Sequence, residues 1–148
     1  MNLALFDLDH TLLPIDSDYA WGEFTNRIGW TDPVLFKSKN DQFYADYLAG
    51  ALDIHDYVRF ATESVRLRGP EAAAKAHAQF MKEIILPQIK PQALDLVKTH
   101  QAAGDHVMIV TATNEFVTRP IAQAFGVQEL IAVELARRAD YFLFGFNQ

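Results

Sequence analysis

Three short apolar runs separate stretches of helical pattern along this 148-residue chain. The runs are LALF at residues 3–6, HVMIV at residues 106–110 and LIAVEL at residues 130–135. Continuous apolar character is typical of strands in a parallel sheet that is covered on both faces. Strands that alternate with helices predict an α/β fold with right-handed crossovers. Because the strands lie in residues 1–15 and 88–148, we predict that these two ranges together form the domain that contains the sheet.

The stretch between the first two runs, residues 16–87, carries no strand pattern. Helix caps and breakers divide it into about four helices. The starts are marked by Asp16 or Ser17, Asp32, Asp53 and Pro70, and the ends by Gly29, Gly50, Gly69 and Pro87. The pattern predicts a helical subdomain that is inserted into the α/β domain.

Two more helices are expected in the second half of the chain. One covers KPQALDLVKTHQAAG, and the other starts near Thr118, because Pro120 is tolerated best in the first turn of a helix. The final stretch contains YFLFGF, whose pattern allows an edge strand with no helix after it. The five histidines show no metal-ligand spacing and are interpreted as surface or loop residues.

Composition excludes several classes of function. The formal net charge of −6 disfavours nucleic-acid binding, which needs an excess of Lys and Arg. The absence of cysteine excludes disulfides, thiolate zinc sites and a cysteine nucleophile. No signal-peptide pattern precedes the first strand, and no apolar run approaches the ~20 residues that span a bilayer. A soluble, cytoplasmic protein without a membrane partner is expected.

Two aspartates, Asp7 and Asp9, follow the first apolar run directly. In an extended segment, residues two apart point to the same side. Both carboxylates would then face the carboxyl end of a parallel strand, where open α/β sheets bind ligands. Their mutual repulsion favours either one proton or a divalent cation such as Mg²⁺ between them. The alternative is that one aspartate caps the next turn and the other is solvated.

Three features together resemble the haloacid dehalogenase (HAD) superfamily of phosphohydrolases. FDLDHTLL after a strand is similar to the first family signature, and VMIVTAT, with Thr111 at the strand end, is similar to the second. The helical insert, SDYAWGEF and TATNEFVTRPIA resemble the phosphoserine-phosphatase-like branch, subfamily IB. The resemblance covers residues 2 to about 134. It implies a HAD-like Rossmannoid parallel sheet with an inserted helical C1-type cap over residues 16–87.

The resemblance implies Mg²⁺-dependent hydrolysis of a small phosphorylated metabolite, with phosphoserine and histidinol phosphate as the candidates. Asp7 would be the nucleophile that forms an aspartyl-phosphate, and Asp9 would be the general acid and base. Mg²⁺ would be bound by Asp7 and by the backbone carbonyl of Asp9. Thr111 and the N–H of Ala112 would hold phosphate oxygens, whereas an isolated Thr at a strand end is also an ordinary turn residue. Thr11 would support the loop, or serve as a plain turn hydroxyl.

Two further residues are candidates for substrate contact. Asp16 lies nine residues after Asp7, where phosphoserine phosphatases carry an acidic residue that contacts the substrate amino group. Its alternative role is to cap the following helix. Arg59 in the insert would meet a substrate carboxylate, or lie on a solvated helix face.

The family also uses a later Lys and an acidic pair after a fourth strand, and this chain lacks both. No Lys follows Lys98, and neither Arg137 nor Arg138 lies in a matching motif. The acidic residues after Thr111 are Glu115, Glu129, Glu134 and Asp140. Loss of these charges is expected to remove most of the activity, since phosphoryl transfer depends on charge neutralisation.

Two interpretations of the incomplete sheet remain open. The chain is either a truncated or frame-shifted product, which we favour, or a short relative that binds phosphate or a partner without turnover. An incomplete sheet would leave apolar surface uncovered, which favours association with another copy of the chain. A purely helical interaction module leaves Asp7 and Asp9 unexplained.

Overall fold

The computed structural model describes residues 1–136. The predicted edge strand YFLFGF, Arg137, Arg138 and Asp140 lie outside the described residues. No helix within residues 1–136 is long and apolar enough to cross a bilayer. In chain order the elements are β1 (Leu3–Asp7), α1 (Ser17–Arg27), α2 (Pro33–Leu48), α3 (Ile54–Ala61), α4 (Glu63–Arg68), α5 (Pro70–Phe80), α6 (Pro91–Ala102), β2 (His106–Asn114), α7 (Glu115–Ala124) and β3 (Glu129–Val133).

The three strands form one parallel sheet in the order β1-β2-β3. Strand β1 pairs with β2 from Leu3 opposite His106 to Asp7 opposite Val110. Strand β3 pairs with the other edge of β2, and the register shifts between Val110 and Asn114. The predicted α/β class and the parallel sheet are confirmed. All three strands therefore end at the same edge, where Asp7 closes β1.

Only one face of this sheet is covered by the described residues. Ile109 is fully buried, whereas Leu5 is 56% exposed and Ile131 is 53% exposed. Residues paired in register point to the same side, so Asp7, Val110 and Ile131 share the open face. Apolar strands favour covering on both faces, but within residues 1–136 the incomplete sheet leaves apolar surface uncovered, as the alternative expectation stated. The apolar sequence of a strand indicates that burial is favourable, but it does not indicate whether a second layer is present to cover the strand.

Helix α7 starts earlier than the sequence predicts. It begins at Glu115 rather than near Thr118, so Pro120 lies inside the helix and not in its first turn. The side chain of Asn114 caps the helix by accepting a hydrogen bond from the N–H of Val117 at 3.2 Å. Proline in a helix removes the N–H that would bond to the carbonyl four residues earlier, here that of Phe116. The cap and the remaining turns maintain the helix despite this loss.

The predicted helix after Asp53 is divided in two. Thr62 separates α3 from α4, with backbone angles of −104° and −2°. Its hydroxyl donates to the carbonyl of Val58 at 2.7 Å. A β-branched residue whose hydroxyl bonds back to the preceding turn disfavours a regular helix at this point.

Contacts divide the described chain into two compact units. The first contains Met1–Trp21 and Ala76–Glu134, and the second contains Gly22–Lys75 with Leu135 and Ala136. The chain passes between the units within α1 and again within α5. The predicted insert, residues 16–87, has wider bounds than the second unit. Its role as a cap stays a prediction.

The second unit is organised by its helix caps and by aromatic packing. Asp32 and Asp53 cap α2 and α3 as the sequence predicts. Phe60 stacks on Phe36 with ring centroids 5.0 Å apart. Gly22 in α1 lets the ring of Phe36 pack closely, because a Cβ there would lie only 2.8 Å from Cζ of Phe36 and the ring would have to shift.

The two faces of the sheet give a matched test of stability. Ile109→Ala removes a fully buried side chain and is expected to lower the free energy of unfolding by about 2–5 kcal/mol. Ile131→Ala removes the same atoms from the open face and is expected to cost about 0.5 kcal/mol. Urea denaturation followed by circular dichroism measures both values. Equal losses would contradict the assignment of the covered face.

Candidate active site

A tight loop, Leu8–Leu12, carries the chain away from the end of β1. Leu8 and Leu12 are buried and anchor it. Between them Asp9 is extended, and His10 adopts a left-handed conformation with φ of 55°. The N–H of His10 donates to the carbonyl of Ile15 at 3.3 Å. This turn leads the chain directly into α1.

Asp7 is exposed at the end of β1. One of its carboxylate oxygens accepts a hydrogen bond from the hydroxyl of Thr11 at 2.9 Å. The bond joins the last residue of the strand to the loop that follows. It is the contact that the predicted supporting role of Thr11 requires.

Asp9 is half-buried and is held at both carboxylate oxygens. The N–H of Ser17, at the start of α1, donates to Oδ1 at 2.7 Å. The hydroxyl of Thr113, near the end of β2, donates to Oδ2 at 2.8 Å. Hydrogen bonds to a carboxylate are shorter and stronger than those between neutral groups. Asp9 thereby joins β1, α1 and β2 at one point.

Thr111 and Thr113 lie together at the end of β2. Thr111 is buried, and its hydroxyl oxygen accepts a hydrogen bond from the N–H of Thr113 at 3.1 Å. Ala112 between them is exposed. Sequence reasoning selected Thr111 and Ala112 but missed Thr113. The available signal was the repeated Thr in TATN, since residues two apart in a strand point to one side.

Asp16 caps helix α1. Its carboxylate accepts from the N–H of Tyr19 at 2.9 Å, and its backbone carbonyl accepts from the N–H of Ala20 at 3.0 Å. This is the capping role that was the alternative to substrate contact. Asp16 directly precedes Ser17, so it lies next to the N–H that binds Asp9.

Arg59 belongs to the second unit and lies on α3. Its guanidinium is exposed and forms an ion pair with Asp56 at 3.6 Å. Its carbonyl accepts a hydrogen bond from Arg66 at 2.9 Å. These contacts fit a solvated helix face, and a contact with substrate stays a prediction.

One histidine differs from its prediction. His77 in α5 is only 4% exposed, so its interpretation as a surface or loop residue is wrong. Its Nε2 lies 3.0 Å from the carbonyl oxygen of Val117, and its ring stacks on Trp21 with centroids 5.5 Å apart. Burial, the largest effect, lowers the pKa of His77. The spacing of residues within α5 does not reveal the burial of His77, because most of the side chains that cover it come from other helices.

The donor set for a metal is limited to oxygen atoms near Asp7 and Asp9. Within residues 1–136 no group of three or more His, Asp or Glu side chains could hold a metal ion. Both carboxylate oxygens of Asp9 already accept hydrogen bonds. The carboxylate of Asp7 and the backbone carbonyl of Asp9 remain as donors. They suit Mg²⁺, which is often bound by one or two carboxylates together with water and substrate phosphate.

Known proteins are similar to this chain over most of its length. The chain is 38% identical over 139 residues to a histidinol-phosphatase of Neisseria meningitidis serogroup C (strain 8013), covering 94% of this chain and 63% of that one. A protein of unknown function from Bordetella pertussis Tohama I is 45% identical, with a TM-score of 0.87 over 95% of this chain and 64% of that one. This chain thus spans less than two thirds of either relative.

The fold also matches more distant structures. A phosphoserine phosphatase with an analogue of the phospho-aspartyl intermediate superposes with a TM-score of 0.57 at 17% identity, over 97% of this chain and 63% of that one. At this identity the match shows a common fold alone. The sequence profile of haloacid dehalogenase-like hydrolases matches residues 4–147, nearly the whole chain. The chain therefore belongs to the haloacid dehalogenase-like hydrolase family.

Proposed function

We propose that this chain carries the nucleophile and acid/base half of a phosphomonoester hydrolase site. The observation that carries the proposal is Asp9, fixed by Ser17 and Thr113 two residues after the exposed carboxylate of Asp7. Membership of the hydrolase family and the name of the Neisseria relative support it. The substrate is a small phosphorylated metabolite, with histidinol phosphate as the first candidate.

In the proposed first step, a carboxylate oxygen of Asp7 attacks phosphorus in line. The bond from phosphorus to the leaving oxygen breaks, and Asp9 gives its proton to that oxygen. In the second step a water molecule attacks the aspartyl-phosphate and transfers its proton to Asp9. Phosphate leaves, and the carboxylate of Asp7 is restored.

The hydrogen bonds around the site support these roles. Thr113 and Ser17 fix the orientation of the Asp9 carboxylate, which a proton-transfer group requires. The hydroxyl of Thr111 accepts from the N–H of Thr113, so its own proton is directed elsewhere and can bind a phosphate oxygen. The N–H of Ala112 is the second proposed donor to phosphate.

Mg²⁺ is the proposed cofactor, held by the carboxylate of Asp7 and the backbone carbonyl of Asp9. When bound, it supplies positive charge that offsets the phosphate and the Asp7 carboxylate. Asp16 is a proposed contact to the amino group of the substrate, and Arg59 is a proposed contact to a carboxylate, which phosphoserine carries and histidinol phosphate does not. For Asp16 this role would coexist with the cap on α1.

Asp7→Asn tests the nucleophile. The amide is expected to reduce turnover of an aryl phosphate to the uncatalysed level, because it cannot attack phosphorus. Phosphate release is measured with and without Mg²⁺, and Asp41→Asn on the exposed surface of α2 is the matched control. Equal turnover by Asp7→Asn and the unmodified chain would remove the catalytic proposal.

A second candidate is a phosphate-binding protein without turnover. It is favoured by the lack of a three-ligand metal cluster within residues 1–136 and of any Lys after Lys98. Isothermal titration calorimetry with Mg²⁺ and inorganic phosphate distinguishes the two candidates when combined with the turnover assay. Phosphate binding that Asp7→Asn leaves intact, without turnover by the unmodified chain, selects the second candidate.

Thr113→Val tests the support of Asp9. Loss of a hydrogen bond to a carboxylate costs about 1.5–3 kcal/mol, which corresponds to a decrease in kcat/KM of about 10- to 100-fold. Thr113→Ser keeps the hydroxyl and is expected to stay within about threefold of the unmodified chain. If valine and serine behave alike, the bond to Asp9 has no role in turnover.

We also propose that the open face of the sheet binds a second copy of the chain. Leu3, Leu5, Val110 and Ile131 are exposed there, and they lie on β1, β2 and β3. An all-parallel sheet is normally covered on both faces, so this surface favours association. In each of the two relatives, about a third of the protein lies outside the part that this chain matches. That additional segment is the other candidate to cover the open face of the sheet.

Light scattering across a range of concentrations tests this association. The unmodified chain is expected to form dimers, and Leu5→Glu with Ile131→Glu is expected to yield monomers. Leu67→Glu changes a 75% exposed leucine in the second unit and is the matched control. A monomer at every concentration would contradict self-association and favour cover by a further segment.

A further inference from the structure

A buried histidine connects α5 to the first turn of α7. Nε2 of His77 lies 3.0 Å from the carbonyl oxygen of Val117, forty residues away in the chain. A carbonyl only accepts, so Nε2 must carry the proton and donate it. The imidazole stacks on Trp21 and packs edge-to-face on Phe80 and Phe116. The ring is thereby held in one orientation.

Pro120 leaves one carbonyl in this turn of α7 without its usual donor from within the helix. Proline has no N–H, so the carbonyl of Phe116 loses its bonding partner four residues later. The carbonyls of both Phe116 and Val117 act on the imidazole of His77. The hydrogen bond itself goes to the neighbouring carbonyl of Val117, so His77 holds this turn at the residue that follows Phe116.

The same turn leads back to the candidate active site. Asn114 accepts from the N–H of Val117 through its side chain and from the hydroxyl of Thr118 through its carbonyl, at 3.2 Å and 2.9 Å. Asn114 directly follows Thr113, whose hydroxyl holds Asp9 at 2.8 Å. A continuous series of hydrogen bonds and one peptide bond thus joins His77 to Asp9.

We propose that His77 is a positioning residue, which fixes the first turn of α7 and through it the Thr111–Thr113 segment against Asp9. The inference rests on the proposed function for its effect on turnover, but its structural part does not. It requires the proton on Nε2, and the neutral imidazole makes this bond without placing a charge in the aromatic site. His77 touches neither Asp7 nor Asp9 and takes no part in bond making.

The surroundings of His77 favour the neutral form. Burial lowers its pKa, and the three carbonyls of Val117, His77 itself and Phe116 oppose that effect only in part. No charged side chain is among the causes of the shift. On α7 the charged groups Glu115 and Arg119 pair with each other at 3.8 Å. Protonation therefore places a positive charge in this aromatic site, where His77 forms no ion pair within residues 1–136.

Fluorescence of Trp21 tests the state of His77 without any assay of turnover. Trp30→Phe leaves Trp21 as the one tryptophan of the chain, and a protonated imidazole quenches an indole stacked on it. The emission of this variant is expected to fall in one step below pH 6.5. His77→Gln in the same background is expected to abolish the step. A step that survives in His77→Gln overturns the assignment.

The pH dependence of stability has a defined sign. The pKa of His77 is lowered in the folded chain, so the unfolded chain binds this proton first as the pH falls. Stability is therefore complete above pH 6.5 and decreases as the pH drops from there through the folded pKa. His77→Gln is expected to lack this component, while His106→Gln on the exposed end of β2 keeps it.

Turnover tests the positioning role. His77→Phe keeps the ring volume but loses the donor, and kcat is expected to fall at least about tenfold while KM changes less. His77→Gln can still donate from its amide, so it is expected to restore kcat and to shift the acid limb of the pH profile downwards. His77→Phe with unchanged kcat, or His77→Gln with an unchanged acid limb, overturns the proposal.

Amide hydrogen exchange separates failure of this proposal from failure of the proposed function. If the unmodified chain has no turnover, His77→Phe must still accelerate exchange at Val117 and Thr113, and His77→Gln must not. Unchanged exchange in His77→Phe overturns the positioning role whatever the enzyme assay gives. Faster exchange in His77→Phe, in a chain that shows no turnover, supports the positioning role of His77 and contradicts the proposed phosphatase function.

Discussion

The carboxylate of Asp9 is the interaction on which the first unit depends. One of its oxygens accepts a hydrogen bond from the N–H of Ser17, and the other accepts one from the hydroxyl of Thr113. These donors come from the start of α1 and the end of β2, 104 residues from Asp9 in the second case. A buried or half-buried carboxylate without such donors would be costly, so the fold and the candidate site stabilise each other.

The two aspartates have different surroundings although they are two residues apart. Asp9 has both oxygens occupied by donors, while Asp7 is exposed and receives the hydroxyl of Thr11. A nucleophile must be open to its substrate, whereas a proton-transfer group must be oriented. The proposed function therefore assigns the nucleophile to the exposed Asp7 and proton transfer to the oriented Asp9.

Local signals in the sequence predict much of the fold. Asp32 and Asp53 cap helices because a side-chain acceptor beside free N–H groups is favourable wherever it occurs. The features that the sequence misses depend on distant contacts. Thr113 gains its role from Asp9, and His77 from a carbonyl forty residues away. Pro120 is a poor guide to the start of α7, because the side chain of Asn114 caps the helix earlier than the first-turn preference of proline suggests.

The open face of the sheet lies beside the carboxylate that is proposed as the nucleophile. Asp7 pairs in register with Val110, which pairs with Ile131, so its carboxylate lies on the side of the sheet that residues 1–136 leave uncovered. A polypeptide that covers Val110 and Ile131 must therefore pass close to Asp7. Such a layer could bring a cation to the nucleophile while it removes apolar surface from water. Covering the sheet and completing the site are then expected to occur in the same binding event.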